Sequence, residues 1–157
     1  MNVHDPDPKR DPASSSPAKA WLRALERTAP IAANPARTLP AMLDALAAAH
    51  GDAPALASDA ESLSYRALAA RANRYARWAL AQGLAKGETV GLLMPNRPDY
   101  MAAWLGISRI GGVVALLNTN LTGEALAHCI DIVAPRHIIV ASELAEDRKA
   151  VERGQRR

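Results

Sequence analysis

Phenylalanine is missing from this chain, and three Trp and three Tyr are the only aromatic residues besides His, so any core must be built from aliphatic side chains and alanine. There is one cysteine, Cys129, which excludes an internal disulfide and fits a reducing compartment. Neither sign of charge dominates. Against 19 Lys and Arg stand 16 Asp and Glu, for a net charge of +3, and no basic stripe interleaves with aromatics. That pattern argues against a nucleic-acid partner. Long apolar runs are missing too. The longest apolar region, residues 100–117, is broken by Arg109 and the Gly111, Gly112 pair. It falls short of the roughly 20 residues that a spanning helix needs. No signal-peptide pattern opens the chain. A cytoplasmic location is expected, with peripheral attachment to a membrane left open.

What is there is concentrated in residues 90–141. Three short apolar runs, residues 90–94 (VGLLM), 113–117 (VVALL) and 137–141 (HIIVA), are each bounded by Gly, Pro or Asn. They are continuous rather than alternating, as expected of strands covered on both faces. Two segments of helical period separate them. Strand, helix, strand, helix, strand predicts an α/β fold: a partial doubly wound parallel sheet with crossover helices.

The 157 residues fit one domain of ordinary size. Residues 1–19 are rich in Pro, Asp and Ser and predict a disordered tail. Residues 20–29 predict a short helix carrying Trp21, Leu22 and Leu25, stopped by Pro30. A second helix over 38–50 is capped by Thr38 and stopped by Gly51. Residues 55–58 and 62–64 predict a hairpin around Asp59, Ala60 and Glu61. Ser64 then caps a helix to about Gln82, with Tyr65, Leu68, Ala69, Ala72, Ala76, Ala79 and Leu80 on its apolar side. Arg66, Arg74 and Arg77 take the other side. Phosphate contact by these three is the sharper reading and a solvated helix face the ordinary one. Trp78 lies off the stripe and calls for a partner element. Pro98 opens a helix that is apolar nearly all round, as one buried against a sheet would be. Thr122 caps the next, with Leu126, Cys129, Ile130 and Val133 inward and Glu124, His128 and Asp131 outward. Ser142 caps a last charged helix carrying Arg148, Lys149 and Arg153, and residues 154–157 form a ragged end.

A doubly wound sheet takes its ligands at the carboxyl ends of its strands. Those ends carry Asn96 and Arg97, then Asn118, Thr119 and Asn120, then Ser142 and Glu143. Arg97, beside a helix N-terminus, could hold an anion or simply pack. A phosphate cradle needs a glycine-rich turn opening a helix, and neither GxGxxG nor GxxxxGK followed by Ser or Thr occurs. His128 could act as a base, although Glu124 and Asp131 at helical spacing suit an ion-pair cluster. Cys129 sits on an apolar face, where a cysteine is ordinarily inert core. No metal-ligand spacing and no nucleophile elbow is present. On residues alone, catalytic, cofactor-binding and metal-binding side chains all stay unassigned.

Three segments carry a resemblance. LLMPNRPDYMAAWLG (92–106), VVALLNTNLTGEALAHC (113–129) and SYRALAARANRYARWAL (64–80) resemble the adenylate-forming acyl-CoA synthetases, nearest the fatty-acid transport protein and very-long-chain acyl-CoA synthetase branch. NTNLTGEALAHC, residues 118–129, is the most specific piece. The resemblance runs over about 21–146 and makes 20–153 an incomplete N-terminal synthetase domain. It implies a fatty acid–CoA ligase that uses ATP, Mg²⁺ and coenzyme A to form an acyl-adenylate and then an acyl-CoA. It also implies that the phosphate loop, the acidic nucleotide motifs and the mobile C-terminal domain lie beyond the resembling stretch. The chain alone is then expected to be inactive, marginally stable and prone to self-association. The other reading is a non-catalytic module that docks on an intact synthetase.

Overall fold

In the computed structural model, residues 16–147 are described. They divide into two units, one ending at Arg37 and the other starting at Thr38. The first unit holds α1, Pro17–Ala32. The Ser16 side chain accepts from the Lys19 amide at 3.3 Å, and Pro17 takes the first helical position. So residues 17–19 are helical, not tail; residues 1–15 lie outside the described residues. Nor does Pro30 stop α1. It falls in the last turn, where its ring removes one amide bond, to a carbonyl of the exposed Glu26 that water can reach.

The second unit opens with α2, Leu39–His50, capped by Thr38 as expected. Gly51 follows it at φ −36°, an ordinary right-handed conformation. A Cβ there would meet the end of the exposed Arg66 side chain, 2.9 Å from its guanidinium carbon, which can swing aside, so neither a left-handed turn nor a rigid neighbour requires glycine at this stop. Strands β1 (Pro54–Ala57) and β2 (Ser62–Ser64) form the expected antiparallel hairpin. α3, Tyr65–Ala81, is capped by the Ser64 hydroxyl. It buries Leu68, Ala69, Ala72, Ala76 and Ala79, while Arg66, Arg74 and Arg77 face solvent. Leu80, placed on the apolar side by period, is 59% exposed. The chain turns away directly after it, at Gly83 with φ +70°, so no element covers that last turn.

The three expected strands follow: β3 (Thr89–Leu93), β4 (Val113–Leu116) and β5 (His137–Val140). All pair in parallel, in the order β4-β3-β5. α4, Pro98–Arg109, and α5, Gly123–Val133, are the crossovers. Val90 and Leu92 of β3 pack on the α3 and α4 side, with Ala79, Ala103 and Ile107. Leu93 packs on the opposite side with Leu126 and Ile130 of α5. The sheet is therefore wound on both faces. Only β3 is buried along nearly its whole length, from Val90 to Leu93; the flanking strands are edges, and Val113 and Leu116 of β4 are 50% and 46% exposed. Their continuous apolar sequence had implied full cover.

Two more helix expectations change. Thr122 is the N-cap of α5 but its side chain makes no capping bond. Ser142 lies inside a short 3₁₀ helix, Ser142–Asp147, instead of capping an α-helix, and Arg148, Lys149 and Arg153 lie outside the described residues.

α5 ends on Ala134 at φ 43°, the left-handed region, with its amide donating to the Ile130 carbonyl at 2.8 Å. That conformation costs a non-glycine residue about 1–2 kcal/mol. Glycine would remove the strain but lose about 0.4–1 kcal/mol through the freer unfolded chain. Ala134→Gly should therefore stabilise the fold by up to about 1.6 kcal/mol. A urea melt with a raised midpoint and an unchanged slope would show it.

Candidate functional site at the carboxyl ends of the strands

From β3 the chain crosses to one side of the sheet, and it returns as β5 on the other. The crevice between the carboxyl ends of β3 and β5 is thus the topological switch point, where open α/β sheets bind ligands. The residues there are Asn96 and Arg97 after β3 and Ser142 and Glu143 after β5. Pairing runs up to the rim, where the Ala141 amide donates to the Leu93 carbonyl at 2.9 Å.

The crevice is bridged. The Arg97 guanidinium meets a Glu143 carboxylate oxygen at 2.7 Å, with both side chains partly exposed. Glu143 is held below the usual carboxylate range, first by its own backbone amide, with Arg97 and Ser142 adding to it. Arg97 is the N-cap residue of α4 and its side chain makes no capping bond. Of the two readings given to Arg97, the structure shows an ion pair across the switch point. Beside it opens a cavity of 220 Å³ lined by Leu56, Ala57, Ser58, Asn96, Pro98 and Met101 as well as Arg97. The third loop, after β4, is tied to itself: the Asn118 side chain accepts from the Asn120 amide at 2.9 Å.

A second polar cluster lies between α3 and the start of α4. Arg71 donates to Glu61 at 2.9 Å and reaches Asp99 at 3.6 Å, and the Tyr75 hydroxyl donates to Asp99 at 2.7 Å. The Arg71 bond is the main cause holding Glu61 below its usual range. This cluster walls one end of a 680 Å³ groove that runs along Trp78 to Ile138, Ile139 and Val140 of β5. Trp78 finds its partner there, its ring set edge-on to His137 at 5.8 Å.

Burial first, then the bond to Asp99, pushes the Tyr75 hydroxyl well above the usual tyrosine range. Unfolded tyrosine ionises near pH 10, so this group's contribution to stability is whole below about pH 10. It is lost as pH rises beyond that. An ultraviolet titration should show a tyrosine that resists ionisation until the chain unfolds, and Tyr75→Phe should remove it.

The other candidates stay apart. His128 is exposed on α5, and among the described ion pairs none joins it to Glu124 or Asp131. The expected cluster does not form within 4 Å. Cys129 is half-buried against the α5 core cluster. Among the described residues no three His, Cys, Asp or Glu side chains stand close enough to share a metal ion. Sequence reading missed the Arg97–Glu143 and Tyr75–Asp99 pairs. No local spacing could signal them, since 46 and 24 residues separate the partners.

The family model described as AMP-binding enzyme matches residues 43–157. The chain belongs to the AMP-binding enzyme family. Within the family, it is 37% identical over 92 residues to long-chain fatty acid transport protein 6 of Homo sapiens, a match covering 58% of this chain and 15% of that protein. It is 33% identical over 140 residues to the long-chain-fatty-acid–CoA ligase of Salmonella typhimurium, covering 86% of this chain and 25% of the ligase. The inhibitor-bound N-terminal domain of FACL13 from Mycobacterium tuberculosis superposes with a TM-score of 0.68 at 26% identity, over 72% of this chain and 29% of that one. This chain therefore spans a quarter or less of the length of these two curated relatives. The matched range includes the sheet, both crossovers and the bridged crevice.

No helix among the described residues is long and apolar enough to cross a membrane.

Proposed function

We propose that this chain supplies the N-terminal part of the adenylating domain of a long-chain or very-long-chain fatty acid–CoA ligase. The whole enzyme would join a fatty acid to coenzyme A through an acyl-adenylate, using ATP and Mg²⁺. The observation that carries the reading is the 140-residue match to a long-chain-fatty-acid–CoA ligase, which runs through 86% of this chain.

Adenylation needs cations and hydrogen-bond donors around the phosphates during attack. At the crevice the one guanidinium, Arg97, is already neutralised by Glu143. With no metal-ligating trio among the described residues, these side chains do not fit a Mg²⁺–triphosphate by themselves. Their role is to build the sheet, hold the switch-point loops and present the apolar cavity beside them. Groups elsewhere in the whole enzyme would hold ATP, and the chain alone would be inactive. A second reading, a module that docks on an intact synthetase, draws on the exposed Val113 and Leu116 of the β4 edge.

A chimaera separates the two. Residues 38–147 replace the matching stretch of the Salmonella ligase, and ATP–pyrophosphate exchange with a long-chain fatty acid is measured. A scaffold of the same enzyme class should leave exchange clearly measurable. A folded, monodisperse chimaera without exchange would contradict the ligase reading.

A further inference from the structure

The switch-point loops, the groove and the sheet edges leave one element unaccounted for, α1. Every residue from Ser16 to Leu39 is exposed, and α1 buries none of its side chains. Trp21, Leu22 and Leu25 are 67%, 57% and 46% exposed. At 100° per residue they share one arc with Ala18, Thr28, Ala29 and Ala32, while Lys19, Arg23, Glu26 and Arg27 share the opposite arc. Thr28 is the single polar side chain on the apolar arc. Its hydroxyl donates back to the Ala24 and Leu25 carbonyls at 2.9 and 3.2 Å, so it presents its methyl group and no unsatisfied hydroxyl hydrogen. Glu26 is the only acid in the helix, which is net positive.

We propose that α1 lies flat on an anionic lipid surface, with Trp21, Leu22 and Leu25 inserted at the headgroup boundary. Three features favour lipid over a protein partner. The arc carries a Trp, whose amphipathic ring suits the interface. On the opposite arc the long cationic side chains of Lys19 and Arg27 can reach up to phosphate groups. Pro30 frees only the Glu26 carbonyl, on the opposite arc, and the Thr28 hydroxyl finds its acceptors within the helix, so the inserted arc carries no hydroxyl donor without a partner. About 24 Å of helix would lie in the plane. The attachment holds whether or not the chain takes part in acyl activation.

The test is cosedimentation of the full 157-residue chain with vesicles of phosphatidylcholine alone or mixed with phosphatidylglycerol. Binding should be about tenfold or more tighter on the mixed vesicles. Trp21→Glu with Leu25→Glu should abolish it on both, and Lys19→Glu with Arg27→Glu should abolish only the advantage of the anionic vesicles. The charged variants could unfold α1, so a conservative one accompanies them. Trp21→Phe should keep binding but lose the fluorescence quenching that brominated acyl chains cause in the unaltered protein. No binding to either vesicle would overturn the proposal. So would binding indifferent to the paired substitutions, quenching that persists in Trp21→Phe, or an apolar arc that instead dissociates an oligomer when charged.

Discussion

Gly106→Val should cost the second unit its cooperative melt, or lower its midpoint by about 10 °C or more. Gly106 begins the last turn of α4, at its contact with α3. A Cβ there would collide with the Ala72 carbonyl oxygen and stand 2.7 Å from the Tyr75 Cβ and 3.1 Å from the Ala76 amide nitrogen. These atoms belong to the α3 backbone or lie one bond from it, so no rotamer change relieves the overlap. Alanine at this site would gain about 1 kcal/mol of helix propensity over glycine. Overpacking costs about 1–3 kcal/mol for a methylene or so in a core that can give. Against a rigid backbone the upper end applies, and valine adds two methyl groups and a stiff χ1. A loss of about 3 kcal/mol or more converts to about 10 °C for a chain of this size. Thermal denaturation followed by near-ultraviolet circular dichroism measures it through Tyr75 and Trp78, which border the contact. An unchanged midpoint would mean that α3 and α4 do not approach as described.

The close approach at Gly106 was not legible in the sequence. One glycine in an apolar helix reads as a weak point in helix propensity, and only the second helix shows what it makes room for. The sheet was legible. Val90, Leu92, Val113, Val114, Ile138 and Ile139 are β-branched or aliphatic residues in short runs, and Pro95, Asn118 and Pro135 punctuate them. Element order followed from that punctuation, and the parallel pairing from the helical period between the runs. Local rules failed where a neighbour outside the segment decided the outcome. Pro30 stays helical because it falls where a lost bond is cheap. Leu80 is exposed because the chain leaves at Gly83. At the candidate site the chain ends of the strands were predictable from topology, and their loops are where the fold places them. The ion pair that spans them was not. Arg109 shows the same limit: its two hydrogen bonds to Asp44, at 2.7 and 2.8 Å, join α4 to α2 across 65 residues. Periodicity reports which face a residue takes and says nothing of which distant partner it meets.

The second large effect is an absence of catalysis. The whole-enzyme reaction would raise pyrophosphate exchange by orders of magnitude over a blank, since enzymes accelerate by roughly a millionfold or more. Electrostatic stabilisation at the transferring phosphate is commonly the largest single contribution to that acceleration. In the described residues the crevice offers the phosphates a single guanidinium, shared with Glu143 at 2.7 Å. Freeing it does not complete a site: Glu143→Gln would release Arg97 and leave it alone against several phosphate charges. The expectation is therefore that neither the chain nor its Glu143→Gln variant turns over, although the fold around the crevice is in place.

The most direct measurement is ATP–pyrophosphate exchange by homogeneous 157-residue protein with a long-chain fatty acid and Mg²⁺, run beside an intact long-chain fatty acid–CoA ligase. A scaffold that positions the switch-point loops but does not hold the triphosphate predicts exchange equal to the protein-free blank while the intact ligase exchanges freely. Exchange clearly above the blank, dependent on the fatty acid and retained through a further purification step, would contradict it.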